Sequence, residues 1–535
     1  MSNYDIIDVG KRCINLKEVF NMGKKEKFSF LDRVERVGNK LPHPAIIFII
    51  LAGFLVVLSA ILAAIGVEVS FTSINIETRE VEDVYVYVRS LLSVEGVQFM
   101  LTSTVTNFTG FVPLGVVLVA MLGIGIADGS GLLTTVIKRV VTKTHKSMLT
   151  AVIIFIGILS CLASDAGYVI VIPLAALVFM SVGRHPIAGL ATGFAGVAGG
   201  FGASLLLSPI DAMMAGLTTE AAQIMDPTYV VGIEGNWFFG IASVFLLTIL
   251  GTFITEKIIE PRLGKYDGDV EVDTELTTVT SEEKRGLRFA AIAGVVSLVV
   301  IILALIPEGA PLRGPEAGTA GILNSPFMSS LVVVLAIFFA IMGIAFGIGK
   351  GSIKNDKDVV GLMTKSIETM AGFIVLAFFA AQFIAYFTYT NLGTIVAVSG
   401  ADILVRLGIG GIPLILMFMV VVVIVNFLIG SMGAKWAILA PIFVPMLMEM
   451  GFTPEFIQAA YRIADSTTNI ISPLMAYFAL VVVFFQKYDK KAGVGTLISV
   501  MMPYTVIFTI GWIALLVVWY IFGFNLGPGV GIYLP

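Results

Sequence analysis

Long apolar runs dominate the chain, and their lengths fit membrane-spanning helices. A run of about 20 apolar residues can cross a bilayer as an α-helix. Such runs lie at 44–66, 97–127, 186–209, 237–257, 287–306, 327–349, 366–388, 454–486 and 496–523. Two further runs, at 148–182 and 411–450, have small or polar residues at their centres. Each half of these two runs has only about 17 residues, the lower edge of spanning length. The pattern predicts nine transmembrane helices and two helical hairpins.

Composition supports an all-α polytopic membrane protein. Of the 535 residues, 57% are hydrophobic and 13% are charged, and the mean hydropathy is +0.98. Soluble proteins carry about 25% charged residues. The two cysteines and three histidines form no metal motif, and we find no nucleotide-binding loop. We therefore expect no cofactor, no nucleic-acid partner, and an energy source other than ATP.

Basic residues in short loops predict how the helices are oriented, because they stay on the cytoplasmic side. The first 40 residues are rich in Lys and Arg, whereas the loop at 67–95 is mostly acidic. We place the first segment in the cytoplasm and the loop outside. Basic residues then precede and follow the run at 148–182. This run is therefore predicted to enter and leave on one side as a re-entrant hairpin, with Asp165 near its tip. The run at 411–450 forms the second hairpin, with residues 430–436 at its tip.

An inverted repeat follows from this order. Ser208-Pro209 and Ser472-Pro473 are 264 residues apart, and shifting 97–257 by that distance gives 361–521. Both stretches contain a span, a hairpin and two spans, and they start from opposite sides. Inverted repeats with broken helices are typical of secondary transporters. The alternative is that Ser-Pro merely kinks two unrelated helices.

The repeat predicts a division of the chain into five parts. They are a cytoplasmic N-terminal segment (1–40), a first repeat (41–257, hairpin 148–182), a cytoplasmic linker with a linking helix and outer loop (258–326), a second repeat (327–523, hairpin 411–450) and a C-terminal tail (524–535).

Uncharged oxygen-bearing residues cluster near the predicted hairpin tips and breaks. Hard cations take such oxygens as ligands. The cation candidates are Asn426, Gly430, Ser466, Thr468, Ser204 and Ser208. The alternative for each hydroxyl is a hydrogen bond to the carbonyl four residues earlier. The sequence therefore allows a Na⁺ site and predicts no other metal.

Charged residues inside apolar runs are expensive and mark functional positions. Arg462 and Asp465 are three residues apart on one helix face. Either they form an internal ion pair, or Arg462 binds a substrate carboxylate while Asp465 binds a cation or exchanges a proton. Asp165 has no sequence-local partner and can serve as a proton carrier. Ser164, Ser431 and Asn469 complete the residues expected near the substrate.

Three other residues have two interpretations each. Asp211 follows Ser208-Pro209 and can simply lie at a helix end. Trp436 can stack on an aromatic substrate or pack in the interior. Lys435, beside it at the hairpin tip, is ambiguous in the same way.

Four motifs resemble one known family. They are Phe30-Leu-Asp-Arg-Val-Glu-Arg-Val-Gly-Asn-Lys-Leu-Pro-His-Pro44, Ser164-Asp165-Ala-Gly-Tyr168, Gly430-Ser-Met-Gly-Ala-Lys-Trp436 and Tyr461-Arg-Ile-Ala-Asp-Ser466. With them, the chain after about residue 28 resembles the p-aminobenzoyl-glutamate transporter (AbgT) family. The resemblance implies nine transmembrane helices plus two hairpins in a bowl-shaped homodimer, in which each protomer has its own transport core.

The resemblance also implies a site and a substrate. The positions that match the family's functional residues are Asp165, Trp436, Pro454, Arg462 and Asp465. The implied activity is transport of p-aminobenzoyl-glutamate, or export of sulfonamide antimetabolites, across a bacterial cytoplasmic (inner) membrane, driven by H⁺ or Na⁺. We also considered a channel, and an intramembrane enzyme that uses Asp165 and Asp465. We expect the protein not to be an enzyme.

Overall fold

The computed structural model describes residues 44–74, 81–163, 167–266, 279–316, 320–323 and 325–534. The segment predicted to be cytoplasmic (1–40) lies outside these ranges, as do Ser164 and Asp165. The described part of the chain is almost entirely helical and has one two-stranded sheet.

The first half of the chain contains ten helices of six or more residues among the described residues. They are α1 (Pro44–Ile65), α2 (Val94–Thr102), α3 (Thr104–Thr109), α4 (Val112–Gly129), α5 (Leu132–Lys143), α6 (Leu149–Leu159), α7 (Ile172–Ser181), α8 (Pro186–Phe194), α9 (Pro209–Ala222) and α10 (Trp237–Ile254). A π-helical turn at Ala195–Gly199 extends α8. Between α1 and α2, the acidic loop forms strands β1 (Glu68–Ile74) and β2 (Val81–Tyr87), which pair antiparallel. The sequence analysis did not predict these strands.

The second half repeats this order. Its helices are α11 (Ser281–Leu305), α12 (Leu331–Lys350), α13 (Asp356–Thr369), α14 (Ala371–Tyr389), α15 (Leu392–Arg406), α16 (Gly411–Asn426), α17 (Met432–Glu449), α18 (Pro454–Asn469), α19 (Phe478–Tyr488) and α20 (Val494–Phe522). Helices α4 to α10 correspond one by one to α14 to α20. The two Ser-Pro pairs lie near the same point of this order, although Ser208 caps α9 directly whereas Ser472-Pro473 precedes the start of α19 at Phe478.

Helices α6 and α7 form the first predicted hairpin. Along α6, Ile154 approaches Gly196 and Ile158 approaches Gly200, so α6 runs parallel to the helix that contains α8. Residues 182–185 join α7 directly to α8, and the two helices pack along each other in opposite directions. Helices α6 and α7 are consequently antiparallel, as a hairpin requires.

Helices α16 and α17 form the second hairpin by the same geometry. At the end of α16, Asn426 bonds to the backbone of Asp465 in α18. At its start, Gly411 approaches Tyr520, whose ring packs against Phe456 near the start of α18. Helix α16 therefore runs parallel to α18. Helix α17 is joined to α18 by residues 450–453 and runs in the opposite direction.

Two spans predicted to be continuous are broken. The first is helical to Gly199 and resumes at Pro209, and the second ends at Asn469 and resumes at Phe478. The predictions of single helices over 186–209 and 454–486 were wrong. Proline lacks a backbone N–H and disfavours helix at the residue before it, so Ser208 ends the first break, Pro209 starts α9, and Ser472-Pro473 lies inside the second break. The first break packs against α18, because a Cβ on Gly202 would lie 2.8 Å from the Arg462 carbonyl oxygen, and the helix end at Gly199 approaches the start of the second break, where its Cβ would lie 3.4 Å from Ile470.

The predicted span at 97–127 is also not one helix. It is divided into α2, α3 and α4, with a break at residues 110–111. In the described residues, seven uninterrupted helices outside the hairpins are long and apolar enough to cross a membrane: α1, α4, α10, α11, α12, α14 and α20. Together with the two broken spans they account for the predicted nine. Helix α17 meets the same criteria but is an arm of the second hairpin.

Candidate functional site

Helix α18 is enclosed by the rest of the protein. Every side chain from Pro454 to Asn469 is buried. Pro454 occupies the first turn, where its missing N–H leaves no hydrogen bond unmade. The later turns carry Arg462, Asp465 and a run of hydroxyl and amide side chains. Buried polar groups need partners inside the protein, so the surroundings of α18 define the site.

The first buried ion pair joins the second hairpin to α18. Lys435 Nζ lies 2.5 Å from Asp465 Oδ1, and both side chains are 0% exposed. The same ammonium group donates to Asn426 Oδ1. The other carboxylate oxygen, Asp465 Oδ2, accepts from Asn469 Nδ2 at 3.1 Å. Removing one member of a buried pair leaves a charge without compensation, which costs more than the pair contributes. The Lys435–Asp465 ion pair therefore attaches the second hairpin to α18.

Neutral hydrogen bonds hold the two sides of the hairpin tip to the second broken span. Asn426 Nδ2 donates to the Asp465 carbonyl oxygen at 2.9 Å and to Thr468 Oγ1 at 2.6 Å. Tyr461 Oη donates to the Met432 carbonyl oxygen at 2.6 Å. From the break itself, Ser472 Oγ donates to the Asn426 carbonyl oxygen at 3.0 Å. The bond from Ser472 satisfies a carbonyl group that the C-terminal end of α16 would otherwise leave unpaired, and the other bonds connect α16 and α17 to α18.

The second buried ion pair joins the two repeats. Arg462 Nη2 donates to Asp211 Oδ1. Asp211 Oδ2 accepts from the backbone N–H and Oγ of Ser208, at 2.8 and 2.7 Å. Ser204 Oγ donates to Oδ1 at 3.2 Å. Asp211 thus completes a capping box at the start of α9 and holds Arg462 at the same time.

The structure does not support an internal ion pair between Arg462 and Asp465. Residues three apart differ by about 60° around a helix axis. On α18 this difference directs Arg462 to the first repeat and Asp465 to the second hairpin. Asp211 does lie at a helix end, as one interpretation held, and its role as partner of Arg462 was missed.

Trp436, Ser431 and Gly430, at the second hairpin tip, make contacts within the protein. Trp436 is fully buried, donates from Nε1 to Thr218 Oγ1 at 2.9 Å, and packs 4.4 Å from the Tyr461 ring. These contacts favour packing over stacking on a substrate. Ser431 caps α17 by accepting from the Ala434 N–H. A Cβ on Gly430 would lie 2.0 Å from the Leu474 carbonyl oxygen, so the tip approaches the second break closely.

The cation candidates separate into two groups. Ser204 and Ser208 donate to Asp211, whereas Asn426 and Thr468 lie around Asp465. Thr468 Oγ1 also donates to the carbonyl oxygen four residues earlier at 2.7 Å, as the local alternative predicts. On α18, two buried oxygens have no hydrogen-bond partner among the described residues: Asn469 Oδ1 and Ser466 Oγ. Amide and hydroxyl oxygens of this kind fit a hard cation.

A cavity of about 400 Å³ lies beside this centre. Helix α9 borders it with Pro209, Ile210 and Met213, and the second hairpin borders it with Ser431 and Gly433. Helices α4 and α14 form the opposite wall. The N-terminal ends of α9 and α17 both meet the cavity, and helix N-termini favour negative charge. Because Asp211 already caps α9, the start of α17 is the part of the wall that suits a carboxylate.

A polar network connects Trp436 with the loop at 223–236. Gln458 Nε2 donates to Thr218 Oγ1 at 2.7 Å, and Asn236 Nδ2 donates to Gln458 Oε1 at 2.6 Å. Nearby, Tyr229 Oη donates to Glu455 at 2.9 Å. In the same loop, burial raises the pKa of the Glu234 carboxyl group. Hydrogen bonds from other elements thus fix the start of α18 as well as its end.

Sequence reasoning missed several of these partners. No local signal pairs Arg462 with Asp211, which is 251 residues away. The sequence allowed either a substrate contact or interior packing for Lys435. It did not predict the ion pair with Asp465, because the two residues lie on different helices. The spacing of Ser208 and Asp211 is a capping-box signal, and it could have located the start of α9.

Two hairpins, two broken spans and buried charges at their meeting point define a secondary transporter. The chain belongs to the family described as the "AbgT putative transporter family", whose profile matches residues 29–534. It is 40% identical over 497 residues to the p-aminobenzoyl-glutamate transport protein of Escherichia coli (strain K12), covering 93% of this chain and 96% of that protein.

Two solved structures share the fold. The YdaH transporter of Alcanivorax borkumensis, described as having an unusual topology, is 45% identical with a TM-score of 0.84, and the match covers 91% of this chain and 100% of that one. MtrF of Neisseria gonorrhoeae, described as illuminating a class of antimetabolite efflux pumps, is 45% identical with a TM-score of 0.88, covering 94% and 100%. The predicted family and fold class are confirmed.

Proposed function

We propose that the protein is a cation-coupled secondary transporter of p-aminobenzoyl-glutamate or related aromatic dicarboxylates. The observation that carries this proposal is the pair of buried ion pairs, Lys435–Asp465 and Arg462–Asp211, where the two broken spans meet. The relative named for this substrate supports the choice. The protein transports its substrate and does not transform it chemically.

The carboxylates of the substrate bind in the 400 Å³ cavity, at the start of α17. Arg462 is close to this region through Asp211 in the first turn of α9, and its Nε is buried without a hydrogen-bond partner among the described residues. This spare N–H is a donor that a planar carboxylate group can use. Asp465 and Asp165 remain our proposed sites for the coupling ion, H⁺ or Na⁺. Asn469 Oδ1 and Ser466 Oγ would add neutral oxygens for Na⁺.

The setting of the transporter is part of the proposal. The protein lies in a bacterial cytoplasmic membrane with its N-terminus in the cytoplasm, and it forms a homodimer in contact with lipid. The exposed apolar face of α11, in which only 6% of the spanning residues are buried, is available for lipid or for the second protomer.

A second candidate function is proton-driven export of sulfonamide antimetabolites. The similarity to MtrF, described with a class of antimetabolite efflux pumps, favours it. A sulfonamide and p-aminobenzoyl-glutamate both present an aromatic amine, so one cavity can serve both compounds.

Uptake of labelled p-aminobenzoyl-glutamate into proteoliposomes tests the proposal, with Na⁺ and H⁺ gradients imposed separately. We expect saturable uptake under one gradient and its loss in Asp165→Asn, Arg462→Ala and Asp465→Asn. Glu95→Gln, at an exposed position of α2, is the control. Linear flux that no gradient drives would contradict a carrier and favour a channel. Sulfonamide efflux without uptake would favour the second function.

A further inference from the structure

A second cavity, of about 490 Å³, lies at the other end of α9 from the first. One wall contains the stacked rings of Phe99 and Tyr389, whose centroids are 4.3 Å apart and whose planes differ by 14°. Glu220, in the last turn of α9, also lines the cavity. We call this cavity the aromatic vestibule. By the predicted topology it faces the outside.

The carboxylate of Glu220 lies at the N-terminal end of α4 and has no charged side chain as a partner among the described residues. Its Oε1 accepts the Val112 N–H at 2.9 Å. Within the described part of the chain, no Lys, Arg or His side chain lies within 4 Å of it. Glu220 is only partly exposed. A half-buried carboxylate beside aromatic rings is suited to a ligand that donates hydrogen bonds from an apolar frame.

Both cavities border α9 and α14. Met213 borders the first cavity and Glu220 borders the vestibule, and they are seven residues apart on the same face of α9. Seven residues correspond to about 10 Å along a helix. On α14, Leu376 borders the first cavity and Ala381 borders the second. The two cavities therefore follow one another along α9 and α14, and the close contact of Gly216 with Pro113 lies between them.

The two cavities prefer opposite chemistry. In the first cavity, the N-terminus of α17 favours a carboxylate. The vestibule has a carboxylate and an aromatic wall, which favour a ring that bears an N–H donor. We propose that the vestibule binds the aryl amine end of the transported molecule. Its amino group donates to Glu220, and its ring packs on Phe99, because the Tyr389 ring is already covered by Phe99 and by the Arg89 guanidinium, 5.2 Å from its centroid. This inference rests on the proposed function, because that function supplies an aromatic amine as the substrate.

Calorimetric binding to the full-length protein in detergent tests the vestibule. The two probes are p-aminobenzoyl-glutamate and benzoyl-glutamate, which differ only in the amino group. We expect the wild-type protein to bind the amine at least about tenfold more tightly, the usual range for a hydrogen bond to a charged group. In Glu220→Gln this ratio should fall below about threefold, because the amide can still accept the Val112 N–H but is a weaker acceptor for the amine. Glu95→Gln should keep the wild-type ratio.

A second variant tests the ring contact. Phe99→Leu should weaken binding of both probes about equally, because both contain the ring. Unchanged binding in Phe99→Leu would overturn the aromatic part of the proposal. Equal affinity of the wild-type protein for both probes would overturn the role of Glu220, as would a Glu220→Gln variant that keeps the wild-type ratio. If the wild-type protein binds neither probe, the proposed function itself fails.

Discussion

The two broken spans share a backbone design but differ in where their charges lie. In the first, the helix before the break is made of small and apolar residues, and the acidic residue Asp211 follows the break. In the second, Arg462 and Asp465 precede the break and the segment after it is uncharged until Lys487. The repeat supplies two similar helix ends that face each other. The ion pairs of the site depend on the different positions of these charges. Arg462 pairs with Asp211 on α9, and Asp465 pairs with Lys435 on α17.

The largest effect is expected from leaving a charge of the second span without its partner. Lys435→Met leaves the Asp465 carboxylate buried and uncompensated, which should destabilise the protein by about 3–5 kcal/mol. The double variant Lys435→Met/Asp465→Asn carries no such charge and should recover most of that loss. Thermal unfolding of the two variants in detergent micelles measures the difference. Equal stability of single and double variants would show that the ion pair does not hold the hairpin.

A smaller effect is expected where the hairpin tip meets the second break. Gly430→Ala would place a Cβ 2.0 Å from the Leu474 carbonyl oxygen, and a backbone atom cannot easily move away. We expect a loss of about 1–3 kcal/mol, the usual range for overpacking. Gly410→Ala is the matched control, because its Cβ would meet no atom within 4 Å and its backbone is extended. Similar unfolding temperatures for both variants would mean that Gly430 and the Leu474 carbonyl group are farther apart than described.

The smallest effects distinguish the two Ser-Pro serines. Ser208 caps α9 and holds Asp211, so Ser208→Ala should cost about 1–2 kcal/mol. Ser472 makes one neutral bond to the Asn426 carbonyl oxygen, so Ser472→Ala should cost about 0.5–1 kcal/mol. Chemical denaturation of both variants, compared with wild type, checks the order. A larger loss of stability for Ser472→Ala than for Ser208→Ala would contradict the stronger structural role that we assign to Ser208.

The repeat was predictable because its signals are local or periodic. Apolar run lengths, loop charges and the spacing of the Ser-Pro pairs indicated nine spans and two hairpins. The breaks were harder to predict, since residues 200–207 and 470–477 are mostly small or apolar and so fit the hydropathy of a span. Ser208-Pro209 and Ser472-Pro473 were interpreted as repeat markers, although Ser208-Pro209 also indicated where α9 begins.

The site was predictable as a set of residues but not as a set of contacts. Arg462, Asp465 and Asn426 were identified because polar groups are rare in apolar runs. Which of them pair depends on helix packing, and neither Asp211 nor Lys435 is near its partner along the chain. The vestibule had no sequence signal, because Phe99, Glu220 and Tyr389 come from three separate helices.

The pairing of Arg462 with Asp211 sets a requirement on how the chain is made. Asp211 enters the membrane 251 residues before its positive partner has been synthesised. During that interval its carboxylate can be stabilised only by what is already present. The three donors of Ser204 and Ser208 are its immediate neighbours in the chain and need no later segment. The serines before α9 thus stabilise the Asp211 carboxylate in the bilayer before α18 has been synthesised. The first repeat can therefore insert before it packs against the second repeat.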